Sequence, residues 1–142
     1  MRGVKSKKLM KDQFIPYELA LELKKLGFDE GCLTYYFIDG KMSNYFKIVH
    51  KNSRIIQTQP YKFDCTAPLW QQAFDWFREK YGLHVLLSAY YNECFYPKIE
   101  EINEPLKYFK DDLRIAGGFD YNNGRKVCLE KLIEIVKKYE KI

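Results

Sequence analysis

Apolar residues recur along this chain with two different periods, and the switches between them mark out its elements. Leu19, Ala20, Leu23 and Leu26 follow Pro16 at helical spacing, and Gly27 stops the run, which predicts a helix over 16–26. Pro16 suits the first helical position, where its missing N–H is no loss. Residues 32–38 and 41–49 are rich in aromatic and β-branched side chains and read as strands. Asp39-Gly40 between them predicts a two-residue hairpin turn with positive φ at both positions. A further turn at 50–53 leads to a strand over 54–59, which Pro60 ends. Trp70, Ala73, Phe74, Phe77 and Tyr81 make one stripe, widened by Leu69 and Trp76. They predict a broad-faced helix over 67–81, capped by Thr66 and stopped by Gly82. Strands follow over 84–91 and 94–102 around Asn92-Glu93, with Pro97 making the second an edge strand or a bulged one. Residues 103–123 carry the turn signals Pro105, Gly117-Gly118 and Asn122-Asn123-Gly124, with room for a short helix near 105–113. Cys128, Leu129, Leu132, Ile135, Val136 and Tyr139 predict a last helix from about 124 to 140.

The order α-βββ-α-ββ-α, with hairpins between consecutive strands, places the chain in the α+β class. The expectation is a mainly antiparallel sheet of about five strands with helices packed on it. A length of 142 residues suits a single domain over 14–142 preceded by a flexible arm over 1–13. Hydrophobic residues at 46% and charged residues at 30% exclude bulk disorder. No apolar run approaches the roughly 20 residues of a membrane-spanning helix.

Charge changes the picture at one end only. Arg2, Lys5, Lys7, Lys8 and Lys11 stand in the first eleven residues with no acid, and the rest of the chain holds nineteen basic and nineteen acidic residues. The formal charge of +5 therefore belongs to the arm and not to a basic domain face. Such an arm suits phosphate backbones or an acidic surface; the plain alternative is a solvated terminus. The positive start is not followed by the apolar stretch of a secretory signal, so a cytoplasmic, reducing setting is expected. Cys32, Cys65, Cys94 and Cys128 are then free thiols, and none has C-x-x-C spacing.

Motifs for common chemistry are missing. There is no phosphate-binding glycine loop, no G-x-S-x-G elbow and no H-E-x-x-H pair. Cys65, beside Asp64 at the expected helix entrance, is the best-placed thiol, but His84 would lie about 20 Å away along that helix. Glu93, Glu100, Glu101, Glu104, Asp111 and Asp112 cluster in sequence and suit metal or acid–base work, or equally a solvated loop. The expectation is a protein without catalytic residues, metal or cofactor, with an enzyme whose acidic, Cys and His residues assemble only in space as a further alternative.

Aromatic residues make up 17% of the chain, with twelve Tyr and ten Phe. Adjacent tyrosines in a strand face opposite ways, so Tyr35-Tyr36 and Tyr90-Tyr91 each put one ring on each face. If helices cover one face, the other displays tyrosines. Tyr35, Tyr45, Tyr90 and Tyr96 are the candidate binding residues, for a protein, a small ligand or stacked bases. With the arm residues Arg2, Lys5, Lys7, Lys8 and Lys11 they form the nucleic-acid alternative.

Three blocks carry a resemblance. They are Phe14-Ile-Pro-Tyr-Glu-Leu-Ala-Leu-Glu-Leu-Lys-Lys-Leu-Gly-Phe-Asp-Glu-Gly-Cys32, Ala67-Pro-Leu-Trp-Gln-Gln-Ala-Phe-Asp-Trp-Phe-Arg-Glu-Lys-Tyr-Gly-Leu83 and Cys128-Leu-Glu-Lys-Leu-Ile-Glu-Ile-Val-Lys137. Together they resemble small phage and prophage proteins of Bacteroidetes-type hosts. The resemblance covers about a third of the chain and implies a mobile-element origin and action in the host cytoplasm. It supplies no activity and no catalytic residues. The expected role is that of an accessory protein, a non-enzymatic binding module for a host factor or small ligand.

Overall fold

The structure is a computed structural model that describes residues 11–44, 50–54, 63–90, 94–104, 106–108 and 113–141, and of Arg54 and Tyr90 the backbone alone. The chain divides into two compact units, residues 1–70 and residues 71–142.

In the first unit, helix α1 (Tyr17–Lys25) buries Leu19, Ala20 and Leu23. Pro16 is its N-cap in extended conformation rather than its first helical residue. The helix ends as its sequence predicts. Gly27, at φ 95°, donates its N–H to Lys24 O, and Phe28 N–H reaches back to Leu23 O at 3.0 Å. That pair of bonds is a Schellman motif, and it folds Phe28 into the core. Strand β1 (Thr34–Phe37) pairs antiparallel with β2 (Phe63–Ala67). Strand β2 replaces the expected helix start: Thr66 lies within a strand opposite Tyr35 and is no cap. A register shift between Tyr36 and Phe37 makes Asp64 the extra residue of a bulge. Tyr17 Oη donates to the Asp64 carboxylate, and Lys24 Nζ to its carbonyl, so the bulge is tied to α1.

The hairpin after β1 has a different turn from the expected one. Phe37 N–H donates to Lys41 O, and Gly40 N–H returns to Phe37 O, so three residues form the loop. Gly40 alone takes positive φ, at 83°. This is the three-residue loop closed by a left-handed glycine. Its outgoing chain meets Tyr36 at Met42; the remainder of the expected strand over 41–49, from residue 45, lies outside the described residues, as does 55–59 of the strand expected over 54–59. Asn52–Arg54 form a short 3₁₀ turn.

Residues 11–13 depart from the expected flexible arm. Trp70 donates its backbone N–H to Gln13 O and its indole N–H to Asp12 O, and Phe14 bridges Leu69. Residues 1–10 lie outside the described residues.

Helix α2 (Trp70–Tyr81) starts three residues later than the sequence predicts, because β2 occupies the chain up to Ala67. It leads into the second unit, where Ala73, Trp76, Phe77 and Tyr81 are buried. Strands β3 (Leu83–Tyr90), β4 (Cys94–Glu101) and β5 (Leu113–Arg114) form an antiparallel sheet in that order. The five strands thus form two small sheets, one in each unit, and not one. The fold is α+β, with antiparallel pairing between the described strands. Helix α3 (Tyr121–Glu140) begins three residues before its predicted start. Asp120 caps it by accepting the Asn123 N–H at 2.8 Å, so the Asn122-Asn123-Gly124 turn signal lies inside the first helical turn. It buries Cys128, Leu129, Leu132, Ile133, Ile135 and Val136.

Pro97 sits in the central strand, not at an edge. Phe95 exchanges both backbone bonds with Phe119, on the β5 side. By the two-residue period the missing donor of Pro97 faces the same way. There the partner chain leaves the ladder after Ile115, whose N–H donates to Pro97 O at 3.1 Å, and returns only at Phe119. The proline occupies a place where the ladder is already broken. Among the described residues, no helix is long and apolar enough to cross a membrane.

Candidate functional site

The second sheet has two unlike faces. Gly124 of α3 lies over Leu87 and Phe95, close enough that a Cβ there would stand 3.1 Å from the Leu87 side chain. Phe95 also meets the Tyr121 ring, with centroids 5.3 Å apart. Helix α3 therefore covers the face carrying Leu87, Phe95, Pro97, Ile99 and Glu101. Alternation places Tyr96 and Lys98 on the opposite face. Cross-strand pairing adds Ser88, opposite Tyr96, and Arg114, opposite Lys98.

These four side chains line a cleft of about 490 Å³ together with Pro97, Ile115, Ala116 and Gly117. The loop 116–118 forms its rim where the β4–β5 ladder breaks. Gly118 lets that rim lie close on the strand. A Cβ there would fall 2.2 Å from Cys94 Sγ and 3.4 Å from the Tyr96 ring. The Tyr96 side is 44% exposed. Lys98 Nζ pairs with Glu100 Oε1 at 2.8 Å, two residues along the same face. The lining thus combines two cations, two hydroxyls and one aromatic face.

The other candidate tyrosines fall elsewhere. Tyr35 belongs to the first unit and packs edge-on against Phe37, Phe63 and His50, at centroid distances of 5.6, 4.4 and 4.6 Å. Its neighbour Tyr36 is buried, with its hydroxyl donating to Ile15 O at 2.6 Å. The expected opposition of adjacent rings is present, but Tyr35 is held among other rings. Tyr45 and the ring of Tyr90 lie outside the described residues, as do Arg2, Lys5, Lys7 and Lys8. Lys11 is exposed, and its carbonyl accepts the Phe14 N–H.

Of the groups weighed for chemistry, Cys65, Glu100 and Glu101 are engaged in structure. Cys65 is in mid-strand rather than at a helix entrance. Burial, reinforced by the Asp64 charge, pushes its thiol up to about 12. Burial does the same for Cys128, to about 12, and for Cys32, to about 11. Adjacent Glu100 and Glu101 face opposite ways. Glu101 is buried and accepts the backbone N–H groups of Lys107 and Tyr108 at 2.6 and 2.8 Å. Glu140 accepts from Lys107 Nζ and the Tyr108 hydroxyl, which hold its carboxyl below the usual range. These two carboxylates staple the 106–108 segment. Glu93, Asp111 and Asp112 lie outside the described residues. Among the described residues, no three His, Cys, Asp or Glu side chains gather as a metal would require.

Sequence reading found Tyr96 and missed Ser88, Lys98 and Arg114. The alternation Tyr96-x-Lys98 was a usable signal, since both residues must share a face. Arg114 reaches that face only through the pairing of a two-residue strand. Searches for similar proteins return no matching family model, no matching curated protein and no matching solved structure.

Proposed function

We propose that this protein is a non-enzymatic binding module whose working surface is the open face of the second sheet. The observation that carries the reading is the cleft in which Tyr96, Ser88, Lys98 and Arg114 converge opposite the face that α3 covers. Its volume falls within the range of small-ligand sites, and a few polar groups converge on one aromatic wall. The engaged carboxylates and the protonated buried thiols support binding rather than turnover. All four cysteines are free thiols, which fits the reducing cytoplasm of a host cell. An accessory role, of the kind that the resemblance to small phage and prophage proteins implies, accords with a short chain that carries such a cleft on its second sheet.

Amide-resolved NMR of the full chain against a mixed panel of neutral and charged aromatic fragments tests this. The expected result is perturbation centred on Ser88, Tyr96, Lys98 and residues 114–117, lost in Tyr96→Ala with an unchanged melting temperature. Perturbations confined to other parts of the chain, or multiple turnover of a substrate by the purified protein, would overturn it.

A further inference from the structure

The pairing of Lys98 with Arg114 is unusual for its position. The two are direct cross-strand partners on one face of an antiparallel ladder. Like charges in that relation repel and weaken the sheet. Glu100 offsets one of them, through its 2.8 Å contact with Lys98. Among these three residues one positive charge is left over, and it stands at the cleft. Among the described residues that line the cleft, none is acidic. Around this pair stand the Ser88 hydroxyl and the half-exposed Tyr96 ring. His84 lies opposite Glu100 in the register, further along the same face.

From this juxtaposition we infer that the cleft binds a small phosphate monoester carried on a planar ring. The phosphate sits between Arg114 and Lys98, and the ring lies against Tyr96, on the side where Ser88 stands opposite it. The inference rests on the binding-module reading and adds the ligand's chemistry to it. Arg114 suits the role because its planar fork matches two phosphate oxygens at once. Lys98 contributes a point charge already steered by Glu100. The ring preference follows from Tyr96, since a flat π-face stacks with any planar heterocycle. Association moves no bond, and the repulsion between the two cations falls as the dianion enters.

Calorimetry on the full chain at low salt, with adenosine 5′-monophosphate, phenyl phosphate, inorganic phosphate and adenosine as probes, tests the proposal. Both ring phosphates are expected to bind about tenfold more tightly than adenosine, and Arg114→Gln is expected to remove that advantage. Glu100→Gln is the decisive second variant. It removes the carboxylate paired with Lys98 and is expected to tighten phenyl phosphate binding several-fold, a gain that a damaged fold cannot produce. Inorganic phosphate binding as tightly as phenyl phosphate would overturn the ring seat on Tyr96. Equal affinity for adenosine and its monophosphate, unchanged in both variants, would overturn the anion assignment while leaving the cleft as a binding site. Binding of none of the four probes, while neutral fragments still perturb the cleft amides, would also overturn the anion assignment. Silence of the cleft toward every probe and fragment would overturn the binding-module reading itself.

Discussion

The two small sheets treat the same raw material in opposite ways. In the first unit, the half-buried side of the β1–β2 ladder gathers Phe37, Phe63 and His50 around Tyr35, each ring within 6 Å of it, and Phe37 stacks on Phe63. Each ring there has an aromatic neighbour, and the cluster satisfies itself. In the second unit, the corresponding outward face carries Tyr96 with two cations and a serine around it, beside a loop that leaves the ladder. Aromatic content alone therefore does not mark a binding surface. The neighbours decide: rings beside rings stabilise the sheet, and in the proposed reading the ring beside two cations and a departing loop is the one that receives a ligand.

The largest expected contrast comes from removing one ring on each side. Phe63→Ala takes away two edge or stacked partners and is expected to lower stability by about 2 kcal/mol, read by urea unfolding. Tyr96→Ala is expected to change stability by about 0.5 kcal/mol or less and to abolish ligand binding at the cleft. If the two variants lose stability equally, the division between packing rings and presenting rings is wrong. Gly118→Ala is the next test. Its new Cβ would clash with Cys94 Sγ, so the thiol or the rim must shift, which is expected to cost about 1–2 kcal/mol and weaken cleft binding. A variant that binds as well as the parent would show that the rim takes no part.

Thiol chemistry sharpens the comparison more gently. Burial raises Cys32, Cys65 and Cys128, while Cys94 under the cleft rim is half-buried. At pH 8 a disulfide reagent is expected to label Cys94 first and the other three only after unfolding, and a cleft ligand is expected to slow that first reaction. The raised thiols also carry a sign. The folded chain keeps its protons to higher pH than the unfolded chain does. Stability from these groups is whole below about pH 9, the ordinary thiol value, and falls as pH rises toward 11–12, as alkaline unfolding by circular dichroism would record. Labelling of Cys65 as fast as Cys94 would contradict this.

Much of this fold was legible from periodicity and punctuation. The stripe from Leu19 to Leu26 with Gly27 and Phe28 specifies α1 and its terminating motif, because both depend on residues close in sequence. Failures came where a distant partner decides. Phe63–Ala67 is too short to show a period, and Thr66 resembles a cap until Tyr35 pairs with it. Pro97 reads as an edge residue unless the chain opposite is known to leave the ladder at Ile115. The division of five strands between two sheets likewise depends on which strands find each other. Tyr96 could be named from alternation, whereas Arg114 became visible only once β5 paired with β4.

The most direct test of the account is fluorine NMR of the chain labelled with 3-fluorotyrosine, each signal assigned by Tyr→Phe substitution and titrated with phenyl phosphate. The Tyr96 resonance is expected to shift with saturation while that of Tyr35 stays in place. A shift at Tyr35 with Tyr96 unmoved would contradict it.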